Sequence, residues 1–125
     1  MPDRILIVDD NPTNLKLVSY LVKAQGYEVA TALDAETALV AIRDQPPRLI
    51  LMDIQLPGID GLELTRRLKA DPATRDIVIV AVTAYAMKGD QDKATEAGCD
   101  AYVTKPIDTR LLPQTIASLL STGGA

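Results

Sequence analysis

Leu49-Ile50-Leu51-Met52-Asp53-Ile54-Gln55-Leu56-Pro57 is the stretch that decides how the rest of the chain is read. Four consecutive large apolar residues predict a strand buried on both faces, and the run stops at a carboxylate followed by a turn containing Pro57 and Gly58. Asp53 is therefore expected at the carboxyl edge of a strand. The same grammar recurs three times: Ile5-Leu6-Ile7-Val8 stops at Asp9-Asp10, Ile77 to Val82 stops at Thr83, and Ala101-Tyr102-Val103-Thr104 stops at Lys105. If these strands are parallel neighbours, three carboxylates, one hydroxyl and one ammonium share one edge, which is where open α/β sheets build their sites.

The intervening segments read as helices. Asn11 is a good N-cap with Pro12 at the first helical position, Leu15, Val18, Leu21 and Val22 recur at helical spacing, and Gly26 closes that helix. Glu28 to Thr31 is a short, half-polar strand suited to a sheet edge. Asp34 caps a second helix that carries Leu39 and Ile42 inward and ends before Pro46-Pro47. Asp60-Gly61-Leu62-Glu63 has the form of a capping box, opening a helix with Leu64 and Leu68 four apart. The apolar content of Ala86 to Ala97 is mainly alanine with one Met, so this helix is expected to be the least firmly docked and a candidate output surface. Leu111, Leu112, Ile116, Leu119 and Leu120 supply the last helix, with regular structure expected to start near Pro113 after a turn capped by Asp108 or Thr109. Five alternations of strand and helix predict an α/β domain with a parallel sheet and right-handed crossovers. Residues 1–121 are read as one domain and residues 122–125 as a flexible tail.

Composition narrows the function classes. With 125 residues there is room for one domain, large enough to bury a core without disulfide or structural-metal support. Four Tyr, no Phe and no Trp leave an aliphatic core and no stacking platform for single-stranded nucleic acid, and a net charge of −4 argues against phosphate-backbone binding. One Cys and no His exclude disulfide frameworks and Cys/His zinc sites. Met1-Pro2-Asp3-Arg4 leads into a strand with no secretory apolar region, and no run approaches the ~18 residues of a membrane span, so a reducing cytoplasm is the expected compartment.

The clustered residues carry their own chemistry. Asp9, Asp10 and Asp53 repel one another by roughly 3 kcal/mol per pair at ~5 Å and an effective dielectric near 20, so a cation must sit among them or a carboxyl must take a proton. Oxygen-only ligation favours Mg²⁺ over Zn²⁺ or copper, and Mg²⁺ takes one or two carboxylates plus waters and phosphoryl oxygens. Asp53, alone on a middle strand, is the best candidate nucleophile for an aspartyl phosphate. Lys105 would neutralise charge on the transferring group, and the Thr83 hydroxyl could donate to a phosphoryl oxygen. With no second acid/base group evident, the site is suited to receiving a group rather than to turnover.

These residues together resemble the receiver domain of two-component response regulators. The acidic pair Asp9-Asp10, the Asp53-Ile54-Gln55-Leu56-Pro57 segment, Thr83-Ala84 and Lys105-Pro106 are all in register over essentially the whole chain. The run from Ala81 to Asp90 is similar to single-domain regulators of the DivK type and to receivers attached to hybrid histidine kinases. The resemblance implies a flavodoxin-like (βα)5 fold, CheY-like, with strand order 2-1-3-4-5, an order the pattern itself does not fix. It implies that Asp53 accepts phosphate from a phosphohistidine of a histidine kinase or histidine phosphotransferase. Mg²⁺ would be held by Asp10, Asp53 and the main-chain carbonyl of Gln55, with Asp9 acting through water. Lys105 would contact the phosphoryl group, and the Lys105-Pro106 bond would be cis. Thr83 and Tyr102 would be the coupled switch pair, altering the face made by the fourth helix, last strand and last helix, where a downstream protein docks. Gln55 and Tyr85 stand where bulk modulates phosphate lifetime, so a Tyr85→Ala variant is expected to lose phosphate faster. A monomer or weak dimer, acting on no nucleic acid or membrane and not itself an enzyme beyond its own phosphotransfer and dephosphorylation, completes the expectation.

Taken singly, each residue has a plainer reading. Asp9 and Asp10 could cap the first helix, Thr83 could be a strand-end turn residue, Lys105 a solvated lysine and Tyr102 a packed ring. Other function classes also use this crevice. A flavodoxin-like ligand-binding module would need a first loop less hostile to phosphate than Asp9-Asp10-Asn11-Pro12, and an Asp-nucleophile phosphohydrolase would need an acid two residues beyond Asp53, where Gln55 stands. The same pattern serves a stand-alone regulator and a receiver excised from a hybrid kinase or multidomain regulator.

Overall fold

The computed structural model describes residues 3–54, 61–83, 88–104 and 107–123. Strands and helices alternate: β1 (Arg4–Val8), α1 (Pro12–Ala24), β2 (Glu28–Ala32), α2 (Ala35–Asp44), β3 (Leu49–Asp53), α3 (Gly61–Ala70), β4 (Val78–Thr83), α4 (Lys88–Ala97), β5 (Ala101–Thr104) and α5 (Leu111–Gly123). The five strands form one parallel sheet in the order β2-β1-β3-β4-β5. This is the flavodoxin-like arrangement that the resemblance implied, and β3 lies at its centre.

Alternation along the strands divides the core in two. Ile5, Ile7, Leu49, Leu51, Val78, Val80 and Val82 face α1 and α5, meeting Leu15, Val18, Val22, Leu112, Ile116 and Leu120. Leu6, Val8, Ile50, Met52 and Ile79 face the other way, against Ala35, Ala38 and Ile42 of α2 and Leu64 and Leu68 of α3. Both faces of β3 are thus covered, which is why its sequence is continuously apolar. Among the described side chains of α4 only Ala94 and Ala97 are buried. Burying a large aliphatic side chain contributes about 1.5–3 kcal/mol and a single methyl far less, so α4 is held by little apolar area, in keeping with its composition.

Local signals place the helix ends. The Asn11 side chain accepts from the Thr13 and Asn14 amides at 3.0 and 3.4 Å, and Asp34 accepts from the Thr37 amide at 2.7 Å. Gly26 and Gly98 carry φ of +92° and +107°, the left-handed conformation that ends α1 and α4. After α4 the Gly98 amide returns to Thr95 and the Cys99 amide to Ala94, a Schellman closure.

Several boundaries differ from expectation. The fourth strand begins at Val78 rather than Ile77, because the Ile77 amide closes a turn onto the Thr74 carbonyl at 3.0 Å. It continues through Thr83, whose register partner is Thr104. The last helix does start near Pro113, at Leu111, and Asp108 caps it as one of the two expected residues, accepting from the Arg110 and Leu111 amides at 2.8 and 3.2 Å. Pro113 then falls in the first turn, where no amide donor is needed. Leu111, the first residue of the helix, is 57% exposed. The helix runs to Gly123, past the boundary drawn at residue 121. Among the described residues no helix is long and apolar enough to cross a membrane.

Candidate phosphoacceptor and metal site

Sheet register alone assembles the site. Val8 pairs with Met52 in adjacent parallel strands, so Asp9 and Asp53, one residue further on, leave the sheet side by side. On the other side of β3, Asp53 pairs with Val82, and Thr83 follows. Asp9, Asp53 and Thr83 are all buried, at 5%, 4% and 0% exposure, whereas Asp10 is exposed. A carboxylate oxygen from each of Asp9, Asp10 and Asp53 lies within 4.8 Å of the others. Below them Leu51, Val82, Ile107 and Leu112 wall a cavity of about 10 Å³, enough for roughly one water, so the charges rest on an apolar floor.

Asp9 is turned by the start of α1. Its carboxylate accepts from the Asn11 amide at 2.9 Å and from the Asn14 side-chain amide at 3.5 Å. Protein donors thus occupy part of its lone-pair capacity, whereas solvent-facing Asp10 retains room for a cation. At 4.8 Å and an effective dielectric near 20, each like-charged pair repels by about 3 kcal/mol. Hard oxygen donors at this spacing suit Mg²⁺, which accepts carboxylates and keeps waters.

Not every expected site residue falls in the described structure. Asp9, Asp10, Asp53 and Thr83 gather at one edge. Tyr102 lies on β5 opposite Ala81, two residues below the Thr83–Thr104 level, and borders a groove of about 380 Å³ with Asp108, Leu111 and Thr115. Gln55, Tyr85, Lys105 and Pro106 lie outside the described residues, as does Asp60 of the expected capping box.

Two supporting residues went unnoticed as such in the sequence. A Cβ on Gly61 would stand 2.5 Å from the Asp53 carbonyl oxygen and 2.7 Å from Ile54 Cα, so only glycine allows α3 to start against the end of β3. Glycine before an apolar helix signals only a turn or a cap, and nothing local reports this close approach. Asn14, which steadies Asp9, looks in sequence like any polar residue in a first turn.

A family model of the response regulator receiver domain matches residues 5–117. The chain belongs to that family. This receiver domain is 47% identical over 120 residues to the polar-differentiation response regulator DivK of Brucella anthropi, a match covering 96% of this chain and 98% of the relative. Among solved structures, a CheY-like response regulator receiver domain protein from Methanospirillum hungatei superposes with a TM-score of 0.92 at 32% identity, over 99% of this chain and 98% of the other. The receiver domain of a sensor histidine kinase from Pseudomonas aeruginosa, solved with a magnesium ion coordinated in its active-site cleft, gives a TM-score of 0.85 at 31% identity over 100% of both chains. Receiver domains generally serve as switches in two-component signalling rather than as enzymes, and the Asp9, Asp10 and Asp53 cluster fits a site for Mg²⁺ and phosphoaspartate.

Proposed function

We propose that this receiver domain takes a phosphoryl group onto Asp53 from a phosphohistidine of a histidine kinase or histidine phosphotransferase in the cytoplasm, and thereby switches a protein-docking face in the manner of DivK. The observation that carries this reading is the convergence of Asp9, Asp10 and Asp53, with oxygens within 4.8 Å of one another, at the carboxyl ends of two neighbouring strands. In the transfer, an Asp53 carboxylate oxygen forms a bond to phosphorus while the P–N bond breaks, its electron pair returning to the donor imidazole.

Asp10 and Asp53 would hold Mg²⁺ with the main-chain carbonyl of Gln55, and Asp9 would act through water. Bound there, the ion supplies positive charge against the carboxylates and the incoming phosphoryl oxygens. Thr83 ends the strand beside Asp53 and is the hydroxyl within one residue of it on the sheet, which supports its role as donor to the phosphoryl group. Lys105 follows β5 directly in sequence and is assigned the remaining charge contact. Tyr102, beside the groove between β5 and α5, is the partner of Thr83 in the switch, and the α4, β5 and α5 surface is the face presented to the downstream protein. Gln55 and Tyr85 set the phosphate lifetime, and the domain signals as a monomer or weak dimer.

Incubation with acetyl phosphate and Mg²⁺ followed by intact mass tests the reading. Addition of one phosphoryl group to the native chain and none to Asp53→Asn is the expected result. Equal labelling of the two would move the acceptor elsewhere.

A further inference from the structure

We infer that Thr65 is a positioning residue for Asp53, acting through the main chain of Gly61; this rests on the phosphoacceptor role proposed for Asp53. Thr65 lies on α3, fully buried, four residues after Gly61. Its hydroxyl donates to the Gly61 carbonyl oxygen at 2.8 Å and accepts from the Cys99 thiol with sulfur and oxygen 3.9 Å apart. A valine would fill the same volume with no polar atom to satisfy, so the buried hydroxyl is explained by what it holds.

What it holds is the residue pressed against the phosphoacceptor's own backbone. Gly61 approaches so closely that any Cβ would meet the Asp53 carbonyl oxygen at 2.5 Å, and its amide donates to the Ile54 carbonyl at 3.3 Å. On the opposite side the Ile54 amide donates to Val82 of β4 at 3.1 Å. The Asp53-Ile54 corner is therefore gripped between β4 and the first turn of α3. Thr65 supplies a bond that keeps that turn closed.

Cys99 fixes the direction of the bond. Burial pushes its thiol up from the ordinary value, so at neutral pH it remains protonated and donates to Thr65. The hydroxyl proton is then committed to Gly61. Because Cys99 immediately follows Gly98 at the end of α4, the chain of contacts runs from the α4–β5 connection to the carbonyl of Asp53.

The test compares Thr65→Val, which keeps shape and loses the hydroxyl, with Thr65→Ser, which keeps the hydroxyl. The rate constant for phosphorylation by acetyl phosphate with Mg²⁺ is expected to fall about tenfold in Thr65→Val, since small displacements of a reacting group cost this much or more, and to return to near the native value in Thr65→Ser. The ¹⁵N-resolved amide signals of Ile54 and Gly61 should shift in the valine variant alone, while those of α1 and β2 stay in place. If Thr65→Val does not fold, Thr65→Ala, with better helix propensity, carries the same comparison. A hydroxyl-free variant that folds and phosphorylates at the native rate, or a serine variant as slow as the valine one, overturns the role of Thr65. A native chain that takes up no phosphate refutes the proposed function instead.

Discussion

Asp100 and Ile79 hold each other twice, in opposite directions. The Asp100 amide donates to the Ile79 carbonyl oxygen at 2.8 Å, and the Ile79 amide donates back to the Asp100 carboxylate, also at 2.8 Å. The same carboxylate oxygen receives the Lys69 ammonium at 3.0 Å, and Lys69 donates further to the carbonyls of Arg75 and Ile77 at 3.1 and 2.8 Å. One lysine thus ties the end of α3 and the approach to β4 to the residue that precedes β5. The register of the last strand is set here, before Val80 and Ala101 pair.

Asp100→Ala should lower stability by about 1–3 kcal/mol, because the amide of fully buried Ile79 loses its acceptor. Asp100→Asn retains an acceptor oxygen and should lose less. Urea unfolding measures both, and a drop for Asn as large as that for Ala would show that the Lys69 ion pair, not the Ile79 amide, carries the effect.

Two glycines should respond differently to alanine. At Gly26 the surroundings are open and only φ of +92° opposes a side chain, so Gly26→Ala should cost about 1–2 kcal/mol in conformational strain. At Gly61 a methyl would strike backbone at 2.5 Å, and the helix must shift by far more than side chains can absorb. Gly61→Ala should cost about 3 kcal/mol or more and slow phosphorylation as well, whereas Gly26→Ala leaves the phosphorylation rate unchanged. Equal melting temperatures for the two variants would contradict the close approach.

The cap of α2 gives a signed pH dependence. The Thr37 amide, and after it the Thr37 hydroxyl, hold the Asp34 carboxyl below its ordinary value of 3.8. A carboxyl whose value is lower in the folded than in the unfolded chain stabilises the fold above the unfolded value, and that contribution fades as pH falls through the folded one. Asp34→Asn keeps a capping oxygen without the titration. The stability difference between native chain and variant should therefore be constant near neutrality and shrink in favour of the variant as pH drops below about 4. Parallel stability curves down to acid pH would exclude a titrating cap.

Strand ends and most helix starts were legible because each rests on local chemistry. The apolar run from Leu49 to Met52 followed by Asp53, the Asn11-Pro12 start and Asp34 needed no knowledge of neighbours. The convergence of Asp9 with Asp53 followed once parallel pairing was assumed. Strand order came from family likeness, since hydrophobic periodicity is blind to which strand lies beside which. Gly61, Thr65 and Asn14 were missed for a common reason: their significance lies in contacts with β3, the α4–β5 connection or the turn after β1, and none alters a periodic pattern.

The effect of replacing Asp10 on stability should change sign between EDTA and Mg²⁺. Without a divalent ion, Asp10 sits with an oxygen within 4.8 Å of oxygens of both Asp9 and Asp53, and each like-charged pair disfavours the fold. Replacing Asp10 with Asn removes both repulsions involving it. Since Asp10 is exposed and screened, Asp10→Asn in EDTA should be more stable than the native chain by about 1 kcal/mol, well below the roughly 3 kcal/mol per pair of the unscreened figure. Binding to the folded chain reverses the order. At a free Mg²⁺ concentration a hundred times the dissociation constant the native chain gains about 2.7 kcal/mol, and the variant, short of one ligand, gains less. Melting curves of both proteins in EDTA and in Mg²⁺ should therefore cross over. An Asp10→Asn protein that is the less stable in EDTA, or that gains as much as the native chain from Mg²⁺, would mean that these carboxylates are not held together by a shared cation.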